Sequence, residues 1–159
     1  VLDILNKANK IIMINKISKS SLTKILKIDK NFLFIDKIIY LKKNKEIKSL
    51  YNLKKNFWFM KSHFINEPVM PGTLQLEAML QTSAVLIYKS ENKIFERSLI
   101  TKIDTSFFKK IENSGTLEII CKIIKSRNGI IIIRSEMNLN KKKTCQANFF
   151  YINPEKFKI

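Results

Sequence analysis

The segment from residue 73 to residue 88 constrains the fold more than any other part of the chain. It follows the Pro71-Gly72 step, which breaks the preceding segment. Placed on a helix, its apolar residues cover nearly every face: Leu74, Leu76, Ala78, Met79, Leu80, Ala84, Val85, Leu86 and Ile87. A helix that is apolar on all sides has to be buried, so the rest of the chain must enclose it.

Alternating apolar patterns predict strands on both sides of this helix. Asn128-Gly129 is the dipeptide preferred in two-residue hairpins, and an apolar segment lies on each side of it. Packing these strands around the buried helix gives an α+β fold, in which a long central helix is wrapped by a curved antiparallel sheet. The predicted strands are 32–41, 47–53, one or two within 95–108, 117–125, 130–139 and 144–152.

The remaining segments predict one domain with a short extension. Residues 1–20 are expected to form an N-terminal extension, in which Leu2, Leu5 and Ile12 have helical spacing. Residues 21–159 are expected to form a single domain, because no repeat or linker divides them. Within it we expect a short helix over 22–26, a loop over about 56–71 and a turn at Gly115.

The charge and composition exclude several classes of protein. The net charge is +17, which reflects either a compositional bias or an acidic partner. Only Arg97, Arg127 and Arg134 carry the guanidinium group that base recognition favours. No nucleic-acid motif is visible, so we expect no nucleic-acid partner.

Other features indicate a cytoplasmic protein without a metal site. No apolar run reaches the length of a membrane span, and nothing near the start resembles a signal peptide. A single histidine rules out a multi-histidine metal site within one chain. Cys121 and Cys145 lack metal-ligand spacing, and we interpret both as reduced and structural.

Residues with special chemistry are concentrated just before the buried helix. The chain has three Pro, three Gly and one His, and Pro68, Pro71, Gly72 and His63 all fall within one short segment. This segment ends where backbone N–H groups lack helical partners and favour a negative oxygen. One turn later, Glu77 lies on a narrow polar stripe between Thr73 and Gln81. A carboxyl group on a buried helix is costly, so His63 and Glu77 are candidate proton-transfer residues.

Structural interpretations of the same residues stay open at this point. A lone histidine beside Phe64 is often a satisfied structural residue. Glu77 could pair with a lysine or cap a backbone group. Pro71-Gly72 could be an ordinary turn before a helix.

Taken together as one sequence motif, these residues favour a catalytic role over a purely structural one. Residues 63–81 read HFINEPVMPGTLQLEAMLQ. This closely resembles the signature of the β-hydroxyacyl-acyl carrier protein dehydratases of the FabZ and FabA type, HFPGxPVMPGVLxxEAxAQ in the FabZ form. The chain has the FabZ-type glutamate, whereas Glu67-Pro68 is nearer the FabA spelling. Weaker likenesses lie at residues 26–38 and 107–118, so the resemblance covers about residues 22–152.

The resemblance implies a hot-dog fold and a homodimer, in some cases a hexamer built as a trimer of dimers. The active sites would lie at the subunit interface, with His63 from one subunit and Glu77 from the other. The substrate would be a (3R)-hydroxyacyl thioester on acyl carrier protein, dehydrated to a trans-2-enoyl thioester in fatty acid or related acyl-chain synthesis. No metal or organic cofactor would be needed.

The resemblance also implies a role for each matching residue. His63 would remove the C2 proton, Glu77 would protonate the leaving hydroxyl, and the Gly72 N–H would bind the thioester carbonyl. The candidates for lining the acyl tunnel are Phe64, Val69, Met70, Pro71, Leu74 and Gln81.

Departures from the signature leave other functions open. The family's Pro-Gly after His-Phe is Ile65-Asn66 here, and the preceding Gly is Ser62. Both changes fall on the loop that holds His63 and spare the catalytic pair. The alternatives are an enoyl isomerase, an acyl thioesterase, or a non-catalytic protein that binds or senses acyl thioesters.

Overall fold

The computed structural model describes residues 17–90 and 99–154. Three helices and one 3-10 turn precede or interrupt the strands: α1 (Lys19–Leu26), the 3-10 turn (Lys30–Phe32), α2 (Trp58–Ser62) and α3 (Gly72–Ser90). The strands are β1 (Lys37–Lys42), β2 (Glu46–Leu53), β3 (Leu99–Phe107), β4 (Gly115–Arg127), β5 (Ile130–Leu139) and β6 (Lys142–Ile152).

The strands form one six-stranded antiparallel sheet in the order β1-β2-β4-β5-β6-β3. The predicted hairpin is confirmed: Arg127 pairs with Ile130 across Asn128-Gly129. These two turn residues have φ values of 52° and 81°, as a type I′ turn requires. A long helix against an antiparallel sheet confirms the predicted α+β class.

Helix α3 packs on one face of this sheet and forms the centre of the core. Met79 and Leu86 of the helix are 0 % exposed, as are Ile119 of β4 and Phe149 of β6. Such removal of apolar surface from water is the main favourable term in folding. The expectation of a buried helix is therefore confirmed.

Buried hydroxyl groups fix how α3 lies on the sheet. Ser49 of β2 and Thr82 of α3 are 2.7 Å apart at their hydroxyl oxygens. The hydroxyls of Ser83 and Ser135, from α3 and β5, are 3.2 Å apart. All four residues are 0 % exposed. Thr82 and Ser83 also donate to carbonyls of their own helix, so a rotation of the helix would leave the Ser49 hydroxyl buried without its partner.

Strand β3 lies at the edge of the sheet and is exposed along most of its length. Within the described residues it pairs only with β6. Its exposed apolar residues include Ile100 and Ile103, at 41 % and 38 %, and Phe107, at 49 %. An edge with free backbone groups and apolar side chains is suited to pairing with another chain.

Several local predictions need correction. The predicted strand over 32–41 begins only at Lys37, and the predicted loop over 56–71 contains the short helix α2. Helix α1 begins at Lys19, before the expected start at Leu22. Gly115 begins β4 and pairs with Leu53, so it belongs to the sheet and not to a turn.

The N-terminal prediction lies mostly outside the described residues. Residues 1–16 and 91–98 are not described, so the helical extension stays a prediction. Ile17 is described: it forms a bridge with Ile38 and is buried. No described helix is long and apolar enough to cross a membrane.

Both cysteines are free and buried. Burial raises the pKa of the Cys121 thiol to about 11, because a buried site disfavours the thiolate. The Cys121 thiol lies 3.7 Å from the Met79 carbonyl, to which it donates. Cys121 therefore acts as a small protonated core residue against α3.

Candidate active site

His63 is held by a loop that closes on itself between α2 and α3. Its backbone N–H donates to the Phe59 carbonyl at 3.0 Å, and its carbonyl accepts from the Val69 N–H at 2.7 Å. Inside this loop, Phe64 and Glu67 exchange two backbone hydrogen bonds of 3.0 and 3.2 Å. The loop is therefore tied at both ends, and the position of the imidazole is well defined.

The imidazole of His63 has one nitrogen occupied and one available. Its Nδ1 lies 3.1 Å from the Val69 carbonyl oxygen. A carbonyl can only accept, so Nδ1 carries the proton of the neutral ring and Nε2 is left with a free lone pair. The ring stacks on Phe64 with centroids 4.0 Å apart. This is the arrangement of a histidine prepared to act as a base.

Gly72 is the first residue of α3, and the ring of Phe107 lies close against it. A Cβ atom at this position would lie 2.8 Å from Cζ of Phe107, so a side chain here would have to displace that half-exposed ring. The Pro71 carbonyl accepts hydrogen bonds from the N–H groups of Leu74 and Gln75, both at 3.1 Å. These bonds form the first turn of the helix. The first amides of the helix have no intrahelical acceptor, so the Gly72 N–H is positioned at the positive end of the helix.

An apolar cavity joins these two features. Its volume is about 460 Å³, which is in the range of small-molecule sites. Both His63 and Gly72 line it, together with Phe64, Glu67, Val69, Met70, Gln75, Phe107, Phe108, Lys109 and Lys110. The sequence-predicted residues Phe64, Val69 and Met70 are in its wall, whereas Pro71, Leu74 and Gln81 are not.

Charged residues lie at the same cavity. Lys110 forms an ion pair with Glu67, and both side chains are more than half exposed. The Lys110 ammonium, by hydrogen bonding and charge, lowers the pKa of Glu67, and Glu67 raises the pKa of Lys110. Lys109 adds a second cation, so the cavity combines an apolar wall with a basic border.

Comparison with known proteins identifies the family. A family model described as the FabA-like domain matches residues 27–148. The chain belongs to the FabA-like family. The resemblance found at residues 63–81 is thereby confirmed.

Curated relatives of this FabA-like chain are named 3-hydroxyacyl-[acyl-carrier-protein] dehydratase FabZ. The one from Buchnera aphidicola subsp. Schizaphis graminum is 38 % identical over 124 residues, which are 76 % of this chain and 81 % of that protein. The one from Shewanella woodyi is 34 % identical over 119 residues, 73 % of this chain and 78 % of that protein.

Solved structures with the same architecture support the hot-dog fold. The dehydratase heterocomplex ApeI:P from Xenorhabdus doucetiae matches with a TM-score of 0.67 at 11 % identity, over 84 % of this chain and 90 % of that one. A hypothetical thioesterase with coenzyme A from Streptococcus pneumoniae matches with a TM-score of 0.59 at 9 % identity, over 72 % and 82 % of the two chains. At such identities the likeness concerns the fold alone.

Glu77 of the FabA-like chain lies outside the wall of the cavity that holds His63. It is half-buried on α3, and its Oε1 accepts a hydrogen bond of 2.9 Å from Nε2 of Gln81. Within one chain, the structure therefore groups His63 with Gly72 and leaves Glu77 apart from them. Within 17–90 and 99–154, no three His, Cys, Asp or Glu side chains cluster in a way that could hold a metal ion.

Gln81, a residue of the FabA-like signature, makes structural hydrogen bonds that could not be inferred from the sequence. It is 4 % exposed. Its Oε1 accepts from the Phe34 N–H at 2.8 Å, and its Nε2 donates to the Phe32 carbonyl at 2.7 Å. With the bond to Glu77, the amide of Gln81 uses both of its N–H groups, and it joins α3 to the segment before β1.

Six residues of the cavity were not predicted from the sequence as site residues. Phe107 ends β3, Phe108, Lys109 and Lys110 follow it, Gln75 lies on α3, and Glu67 lies on the loop after His63. The first four lie more than thirty residues from His63 in the sequence. Their only signal was the faint family likeness at 107–118. Gln75 had a signal of its own, since it is a polar residue on a largely apolar helix and lies outside the polar stripe of Thr73, Glu77 and Gln81.

Replacing Gln81 is expected to destabilise the fold. In Gln81→Leu, the buried Phe34 N–H loses its acceptor, and an orphaned buried donor costs about 1–3 kcal/mol. The free energy of unfolding measured by urea titration should fall by that amount.

Gln146→Leu is the matched control. Gln146 is half-buried on β6, and its side-chain Oε1 accepts a hydrogen bond of 3.1 Å from Nζ of Lys143. Its removal should change the free energy of unfolding by about 0.5 kcal/mol or less. Equal effects of the two variants would contradict a special role for Gln81.

Proposed function

We propose that this chain dehydrates 3-hydroxyacyl thioesters carried on acyl carrier protein to trans-2-enoyl thioesters, as a hydro-lyase of fatty acid or related acyl-chain synthesis. One observation carries the proposal. His63, with Nδ1 occupied by the Val69 carbonyl, lines an apolar cavity together with the first amide of a buried helix. The FabZ names of the curated relatives support it.

The reaction divides among three groups. The Gly72 N–H binds the thioester oxygen and stabilises the negative charge that develops there as the C2 proton leaves. Nε2 of His63 takes this proton. Glu77 gives a proton to the 3-hydroxyl, the C3–O bond breaks, and water leaves as the C2–C3 double bond forms. Proton exchange with water then returns His63 to its neutral form and Glu77 to its protonated form.

A homodimer supplies the acid that a single chain lacks. Glu77 does not line the cavity of its own His63, so we assign the acid of each site to the partner subunit. The free edge of β3, with Ile100 and Ile103 exposed, supports this assembly. Phe107 at the end of β3 lines the cavity, so pairing through this edge would bring the second chain to the site. Assembly of dimers into hexamers and a cytoplasmic location stay predictions.

The alternatives differ in the product that they yield. An isomerase would convert the trans-2-enoyl product further, a thioesterase would release free thiol, and a sensor would bind without turnover. The presence of both His63 and Glu77 favours the dehydratase over the sensor, because binding alone requires neither proton donor nor base. Assays with 3-hydroxyacyl and crotonyl thioesters, read by absorbance of the enoyl product and by thiol release, distinguish all four.

Removal of either proton-transfer group should abolish most of the turnover. His63→Ala and Glu77→Gln should each lower kcat by at least about 100-fold, the usual effect of losing an acid or base. The measurement is the rate of enoyl thioester formation with the purified variants.

Glu118→Gln, on the sheet at β4, serves as a control and should keep the activity of the unchanged protein. Circular dichroism should confirm that all three variants are folded. A near-normal rate in His63→Ala or Glu77→Gln would remove that residue from the mechanism.

The basic surface predicts salt-dependent use of the carrier-bound substrate. With a net charge of +17 and Lys109 and Lys110 at the cavity, binding of an acidic carrier protein should weaken as ions screen the charges. Raising the ionic strength from about 0.1 M to about 1 M shortens the Debye length from about 10 Å to about 3 Å. KM for the carrier-bound substrate should rise, whereas KM for the same acyl group on pantetheine should not. If KM is independent of salt for both substrates, the positive charge does not contribute to carrier binding and reflects the composition of the chain alone.

A further inference from the structure

Gln75 carries an unsatisfied buried acceptor beside His63 and Gly72. It lies in the first turn of α3 and is only 3 % exposed. Its Nε2 donates to the Met70 carbonyl at 3.3 Å. Its Oε1 is the one buried side-chain oxygen or nitrogen of the described residues without a hydrogen-bond partner. Buried polar atoms without partners are rare in folded proteins, so this one requires an explanation.

The orientation of the Gln75 amide is fixed by its neighbour. The Met70 carbonyl can only accept, so the nitrogen of the amide must face it and the oxygen must lie on the other side. Met70 is itself fixed, since its N–H donates to the Ile111 carbonyl at 2.9 Å. Flipping the amide would bring two acceptors together, and this keeps Oε1 as the free end.

Gln75 belongs to the wall of the same cavity as His63 and Gly72. It follows Gly72 by three residues, so the two lie on one face of the helix and are separated along its axis by about 4.5 Å. Gly72 is more exposed than Gln75. Gln75 is therefore the more deeply buried of these two cavity residues.

We propose that Oε1 of Gln75 accepts a hydrogen bond from the 3-hydroxyl group of the bound acyl chain. This inference rests on the proposed function, which puts the thioester carbonyl at the Gly72 N–H. The acyl part of a 3-hydroxyacyl thioester has a single hydrogen-bond donor, its hydroxyl, only two carbons from the carbonyl. The pantetheine amides lie beyond the sulfur, on the opposite side of the carbonyl.

The contact would orient the leaving group and select the substrate. With its O–H directed at Gln75, the hydroxyl oxygen presents a lone pair to the acid, which is Glu77 of the partner subunit. The saturated and the trans-2-enoyl chains have no donor at this position. Gln75 would therefore favour the 3-hydroxyacyl thioester over the product of the reaction.

A binding comparison tests this inference without turnover. The protein used is His63→Ala, which lacks the base, and the ligands are 3-hydroxybutyryl and butyryl thioesters of pantetheine. One neutral hydrogen bond should make the hydroxyl ligand bind about three- to tenfold more tightly in calorimetry. Adding Gln75→Met, which keeps the length of the side chain, should abolish this preference and leave the affinity for the butyryl ligand unchanged.

Matched variants separate this contact from a structural effect. Gln146→Met in the same protein should keep the full preference, because Gln146 does not line the cavity. Gln75→Leu provides a second test if Gln75→Met unfolds, and a thermal melt shows which variants are folded. A structural role for Gln75 would weaken both ligands equally, and that result would overturn the inference.

The remaining outcomes distinguish this inference from the function on which it depends. Equal binding of the two ligands to His63→Ala, or a preference that survives in Gln75→Met, would refute the Gln75 contact alone. Absence of binding to either ligand, together with no dehydration by the unchanged protein, would refute the proposed function and this inference with it.

Discussion

The burial of α3 against the sheet is the constraint on which the rest of the structure depends. Its apolar side chains fix its depth, and the buried hydroxyl pairs of Thr82 and Ser83 with strands β2 and β5 fix its rotation. Once the rotation is set, the polar positions of the same helix have set directions. The Gly72 amide and Gln75 meet the cavity, while Gln81 holds Glu77 and the segment before β1. One packed helix thus positions the Gly72 amide, the Gln75 side chain and the Gln81 side chain that donates to Glu77.

The features that local chemistry specifies could be predicted from the sequence. The helical pattern after Pro71-Gly72 predicted residues 73–88, and α3 extends over Gly72–Ser90. Asn128-Gly129 predicted the β4–β5 hairpin because both residues accept positive φ values. The spelling of residues 63–81 also indicated the FabA-like family. In each case the deciding residues are adjacent in the sequence.

The features that depend on distant residues could not be predicted. The aromatic run from Phe32 looked like a continuous strand, but the Phe34 N–H is taken by Gln81, and pairing begins only at Lys37. Phe107 reaches the cavity because β3 pairs with β6 and ends over Gly72, which only the folded sheet reveals.

Sharing of one site by two chains is the central claim, and a mixing experiment tests it most directly. His63→Ala and Glu77→Gln chains are unfolded together and refolded at equal concentration. In a mixed dimer, one site combines the intact His63 of one chain with the intact Glu77 of the other. Random pairing should then restore about a quarter of the turnover of the unchanged protein. A mixture as inactive as either variant refolded alone would contradict the shared site.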